Sequence, residues 1–193
     1  MTATARYIDK SIGLLDLLAF AGVTGVCVAG IAIIEKYPST VWVDLIYDDA
    51  YYYLGVVRNL VDHGVSSFLP PFETNGYQPL WVCLLSISAF VFGTSTDSMV
   101  AQAYGISFLF ILGFSVVSKI RYGVLFPAIT CVAYFPAVMT WGMETVTIPF
   151  FFLLYVGASK WQWSGVFGSI LYLGRLDGLC LVVAGDVLDV LKR

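Results

Sequence analysis

Two aspartates and three tyrosines stand together in Asp48-Asp49-Ala50-Tyr51-Tyr52-Tyr53, directly after an apolar stretch. Two more polar clusters lie far downstream, Gly142-Met143-Glu144-Thr145 and Gly174-Arg175-Leu176-Asp177-Gly178, each at the edge of an apolar run. A carboxylate can take a proton as a general base, and a pair of them can hold a hard cation through oxygen ligands. An arginine presents a planar fork of donors that suits a phosphate. Carboxylates and an arginine at membrane depth are expensive, so they mark a functional site. Each also has a structural reading. Asp48 is placed to cap a helix, with Asp49 favoured by the helix dipole. Glu144 is placed to cap the next helix, and Arg175 with Asp177 could form an ion pair or a polar turn.

The elements that carry these groups are membrane elements. Of 193 residues, 59% are hydrophobic and 12% charged, and the mean hydropathy is +0.85, a balance that soluble domains rarely tolerate. A net charge of −3 without a basic run excludes nucleic acid as a partner. Cys27, Cys83, Cys131 and Cys180 are widely spaced in apolar surroundings and read as free thiols. A single histidine, His63, excludes a multi-histidine metal site.

Residues 12–34 form an apolar run of about 23 residues, long enough for a retained transmembrane helix. Asp16, near its N-terminal end, is expected to reach the interface. Further apolar runs occur at 79–93, 99–118, 122–141, 145–159, 166–173 and 179–191. If all cross, Lys119 and Arg121 share a side with Asp48, against the positive-inside rule. If 79–93 lies along the outer leaflet instead, Arg6, Lys10, Lys119, Arg121, Lys160, Lys192 and Arg193 all fall inside. Asp44, Asp48, Asp49, Asp62, Glu73, Asp97, Glu144 and Asp177 then face outward with only Lys36, Arg58 and Arg175 as cations. The expected fold is an all-α polytopic membrane helix bundle of about six spans, a single transmembrane domain over residues 1–193. Residues 36–97 form its long first outer loop, with amphipathic surface helices.

Within that loop, Tyr53, Val56, Val57, Leu60 and Val61 recur at helical spacing, and Arg58, Asn59, Asp62 and His63 take much of the other face. This describes a helix lying on the membrane surface and ended by Gly64. In Thr74-Asn75-Gly76-Tyr77-Gln78-Pro79-Leu80-Trp81, Asn75-Gly76 signals a turn and Pro79 starts a helix well. Tyr77 and Trp81 suit interface anchors, and Asn75 and Gln78 are candidates for substrate contact.

The ordered set "DDAYYYLGVVRNL", "TNGYQPLW", "GMET" and "GRLDG" resembles the GT-C class of polytopic glycosyltransferases, nearest to arabinofuranosyl- and mannosyltransferase-like members. The likeness spans most of the chain. It implies an integral protein of a prokaryotic plasma membrane that uses a polyprenyl-phosphate sugar at the outer face. It implies that Asp49 is the catalytic base and Glu144 the second acidic motif. Tyr51 and Tyr52 suit either interface anchors or contact with a sugar, and Asp48, Asn75, Gln78, Arg175 and Asp177 are the other candidate substrate contacts. Arg175, with Arg58 as runner-up, would face the lipid phosphate. Asp48 and Asp49 could hold a divalent cation, Mg²⁺, Mn²⁺ or Ca²⁺. The acceptor is a glycan, lipid or protein hydroxyl. Members of the class continue for many more spans, so this chain resembles their N-terminal portion, and a further membrane chain is a candidate partner to complete the bundle. Two rival readings stand beside it. One is a non-catalytic membrane subunit with a lipid-binding groove. The other is a transporter or scramblase element, for which no internal repeat is evident.

The charge asymmetry makes a direct prediction. In a background without the native cysteines, cysteine at Asp49 should react with an impermeant thiol reagent from outside, and cysteine at Lys119 should not. Labelling of both from one side would refute the threading.

Overall fold

The computed structural model describes residues 13–39, 43, 48–123, 142–158, 161–175, 180, 182 and 183. Every regular element among them is helical: α1 (Leu14–Lys36), α2 (Asp48–His63), α3 (Pro79–Phe92), α4 (Thr96–Tyr122), α5 (Thr147–Val156) and α6 (Trp161–Gly174), with a 3₁₀ turn at Glu144–Val146 leading into α5. Stretches within α1 (Asp16–Lys36) and α4 (Thr96–Arg121) are long and apolar enough to cross a membrane.

Close contacts fix the helix directions. A Cβ at Gly30 of α1 would lie 2.7 Å from the Tyr104 ring of α4, and Asp16 pairs with Lys119 at 2.8 Å. Position thus falls along α1 as it rises along α4, and the two are antiparallel. A Cβ at Gly113 of α4 would lie 2.9 Å from the Phe150 ring, and the Arg121 guanidinium lies against Gly157, so α5 runs parallel to α4. Gly168 lies against Tyr155 and Gly174 against Thr147, so α6 returns antiparallel to α5. One end of the bundle therefore holds Asp16, Lys119, Arg121 and Gly157. The other holds Lys36, Ser95, Glu144 and Arg175.

Both long helices leave much apolar surface uncovered. Leu14, Leu17, Leu18, Phe20 and Val28 on α1 are exposed, as are Leu109 and Val116 on α4. Among the described side chains of α1, the buried ones form one stripe through Cys27, Gly30 and Ile34. Such surface suits a lipid surround.

Two expectations change. The six-span bundle does not appear among the described residues. α5 has 10 residues, ~15 Å of helix, and α6 has 14, both short of the ~20 needed to span. α5 is short because a 3₁₀ turn takes up its start and Gly157 caps its end. Most of the runs expected at 122–141 and 179–191 lie outside the described residues. The second change concerns α2. Its apolar face meets protein rather than lipid: Ala50, Tyr53, Leu54, Val56 and Val57 are buried, in a core shared with α3 and α4.

The helix boundaries described within residues 48–97 otherwise fall where the sequence marks them. α2 starts at the paired aspartates and ends at Gly64, whose positive φ turns the chain so that the Val65 N–H reaches Asn59 O at 3.3 Å. Pro79 sits in the first turn of α3. With 14 residues, ~21 Å, α3 is too short to cross. It buries Trp81, Val82, Leu85 and Ala89 and exposes Ile87, Phe90, Val91 and Phe92. Arg58 ties α2 to the next element, donating from Nε to Thr94 O at 3.0 Å and from Nη2 to Thr96 Oγ1 at 2.7 Å.

The Asp16–Lys119 pair, mostly shielded on both sides, gives a test of the register. Asp16→Asn keeps an oxygen for the Gly13 N–H while removing the charge. In a double-mutant cycle with Lys119→Met, thermal unfolding in detergent should yield a coupling of roughly 0.5–3 kcal/mol. Additive effects would refute the antiparallel contact.

Candidate functional site

The site is built around a glycine turn. Gly142 has φ 92°, a conformation that glycine adopts without a Cβ penalty. Its N–H donates to Ser107 Oγ of α4 at 3.2 Å, and its carbonyl accepts from Trp81 Nε1 of α3 at 3.0 Å. Ser107 and Trp81 are both fully buried. The turn then delivers Glu144 into the interior, and Thr147 Oγ1 closes it on Glu144 O at 2.7 Å.

Glu144 is 3% exposed. Its Oε1 meets Arg175 Nη1 at 3.3 Å, across the end of α6. The Tyr53 hydroxyl of α2 stands beside the same carboxyl and interacts with it electrostatically. Even so, Oε2 has no hydrogen-bond partner among the described residues, and the neighbouring Thr145 Oγ1 has none either. Burial pushes the Glu144 carboxyl above the ordinary carboxylate range. Arg175 and Tyr53 pull it down, and the charge of Asp49 pushes it up. Burial, then Glu144, raises the Tyr53 phenol.

Asp49, in the first turn of α2, is exposed but within electrostatic range of Glu144. Asp48 beside it is also exposed. The backbone of Gln78, at the N-cap of α3, lies near the Tyr53 hydroxyl and favours its ionised form. Residues from four distant stretches, Asp49 and Tyr53, Gln78, Glu144, and Arg175, thus meet at one end of the bundle.

Other expected site residues have different engagements. The Tyr51 hydroxyl donates to Val43 O at 3.0 Å. The Tyr52 hydroxyl shares a 2.6 Å hydrogen bond with Thr74 Oγ1, and its ring packs on Phe68. Asn75 is exposed in the loop before α3. Arg58 is held by the α3–α4 connection. Asp177 lies outside the described residues.

Sequence reasoning placed Tyr53 on the packing face. It is buried there, and its hydroxyl also borders Glu144. Its place one helical turn after Asp49 was the available signal. Among the described residues no three acidic, histidine or cysteine side chains converge.

Comparisons with protein-family models, with curated proteins and with solved structures find no match to this chain.

The raised Glu144 carboxyl carries a pH signature. The folded state holds this proton more tightly than the unfolded chain, whose carboxyl titrates near 4.5. Its contribution to stability is therefore lost as pH rises from that value through the folded pKa. Thermal midpoints should fall across this window in the wild type and fall less in Glu144→Gln. An unchanged slope in the variant would assign the effect to another group.

Proposed function

We propose that this chain is a membrane glycosyltransferase, or its N-terminal portion, moving a sugar from a polyprenyl phosphate to an acceptor hydroxyl at the outer membrane face. The observation that carries the reading is the convergence of Asp49, Tyr53, Glu144 and Arg175 from distant segments onto one end of the bundle, with Glu144 buried.

In the proposed reaction the acceptor oxygen attacks C1 of the sugar and its proton passes to the Asp49 carboxylate. The C1–O bond to the lipid phosphate breaks, and the phosphate leaves with the electron pair. Arg175 is positioned to stabilise that charge. Glu144 orients the Arg175 guanidinium. Exposure of Asp49 suits a base that must meet an incoming acceptor. A divalent cation at Asp48 and Asp49 would add charge stabilisation at the phosphate.

A second reading, a non-catalytic membrane subunit, is favoured by the same ion pair, because Arg175 already spends a donor on Glu144. Transfer from a synthetic polyprenyl-phosphate sugar separates the two. Asp49→Asn should lower turnover by ~10²–10⁴-fold while donor binding persists, since the amide keeps the shape but cannot take the proton. Asp48→Asn should cost less, because in the first turn of α2 it loses only a charge that favours the helix N-terminus. Loss of activity in Asp48→Asn that added divalent ion partly restores would assign it to a metal. Full turnover in Asp49→Asn would remove it as base and favour the subunit reading.

A further inference from the structure

The segment between α2 and α3 folds into a small hairpin with a polar base and an apolar tip. At the base, Thr74 N donates to Ser66 O at 2.8 Å and Ser66 Oγ to Thr74 O at 2.7 Å. The fully buried Ser67 donates its hydroxyl to Phe72 O. At the tip, Phe72 N–H returns to Leu69 O at 3.1 Å. The side chains there turn outward: Phe68 is 49% exposed, Leu69 66% and Phe72 74%, with Pro70 and Pro71 exposed between them.

Burial would stabilise such a tip, and nothing among the described residues buries it. Two observations indicate what covers it. The first is its height. Asn59 of α2 donates from Nδ2 to Ser67 O at 2.9 Å and so grips the hairpin. Its neighbour Arg58, one Cα step or about 3.8 Å away, grips Thr94 and Thr96, and Thr96 is the first residue of the candidate span in α4. The hairpin base therefore lies within two side chains' reach of the start of that span. The second is its backbone. Pro70 and Pro71 have no N–H, and the Phe72 N–H is already bonded, so the tip takes few unmet donors out of water. Protein interfaces are far broader than three side chains and two prolines, whereas this is enough to seat in the headgroup–acyl boundary.

We infer that residues 68–72 insert into the lipid of the leaflet beside the α2 end of the bundle. The tip then sets the depth of α2. Phe68 packs on Tyr52 and against Gly55, where a Cβ would approach its ring to 2.6 Å, so the insertion acts on the helix that bears Asp48 and Asp49. The exposed Glu73 and His63 on either side stay in water and limit the depth. This inference depends on the membrane reading of α1 and α4 and not on the chemistry at Asp49.

The test uses the full chain in phosphatidylcholine nanodiscs, with Cys83, Cys131 and Cys180 replaced by alanine and the buried Cys27 kept. An environment-sensitive bimane is attached at Leu69→Cys or Phe72→Cys, and at His63→Cys and Leu109→Cys as references for water and for the span surface. The tip probes should emit to the blue of His63, be quenched by spin-labelled lipid, and show iodide quenching several-fold below His63. Tip probes that iodide reaches as it reaches His63 overturn the insertion, even where Leu109 stays protected. Iodide quenching at Leu109 as well would overturn the membrane reading and the insertion with it.

Discussion

A carboxylate that is 3% exposed must find a partner or a proton, and the architecture of one end of this bundle follows from that requirement at Glu144. Taking such a charge from water costs several kcal/mol, which an arginine contact and hydrogen bonds must offset. Arg175 supplies the contact only because α6 runs antiparallel to α5 and ends where α5 begins. The turn bearing Glu144 stays in place only because Trp81 of α3 and Ser107 of α4 hold Gly142 by both its carbonyl and its N–H. Tyr53 adds α2. One buried charge thus draws on α2, α3, α4, α5 and α6.

The opposite end is closed by charges of the same kind placed less deeply. Asp16 meets Lys119, and the Arg121 guanidinium fills the space that Gly157 leaves. Between the two ends the contacts are apolar and aromatic, including the cluster of Phe110, Phe150 and Phe151. Such packing is non-directional and would tolerate a sliding helix. The polar ends do not, since a shift by one residue turns each charged group about 100° around its helix. Packing therefore supplies cohesion, and the terminal ion pairs supply register.

How much of this was legible depended on whether the signal was local. The spacing of Tyr53, Val56, Val57, Leu60 and Val61 specified α2, and Gly64 and Pro79 marked where helices stop and start. What covers the apolar face of α2 was not legible. Amphipathicity states that a face needs covering, and lipid or a neighbouring helix satisfies it equally. The partners of Tyr51 and Tyr52, Val43 O and Thr74 Oγ1, depend on loop conformation and were equally hidden. The loop turn was expected at Asn75-Gly76, yet the chain reverses at Leu69–Phe72, where consecutive prolines restrict it. At the site, carboxylates beside apolar runs were a sound signal because their cost is a property of the residue. The pairing of Glu144 with Arg175 was not, since that needs the direction of α6.

The paired aspartates gain a division of labour from this geometry. Both occupy the first turn of α2, where the unpaired N–H groups and the helix dipole favour negative charge. One anion is enough for that purpose, so capping leaves the other unexplained. Asp49 differs from Asp48 in what lies beyond it, because its charge is felt at Glu144. Two carboxylates that repel each other respond according to their surroundings. Water screens the exposed member, while the buried one has little relief beyond Arg175 and Tyr53. Burial is the main reason the Glu144 carboxyl is raised, and the charge of Asp49 adds to it. In the proposed transfer the exposed carboxylate meets the acceptor hydroxyl, and the buried one holds the arginine.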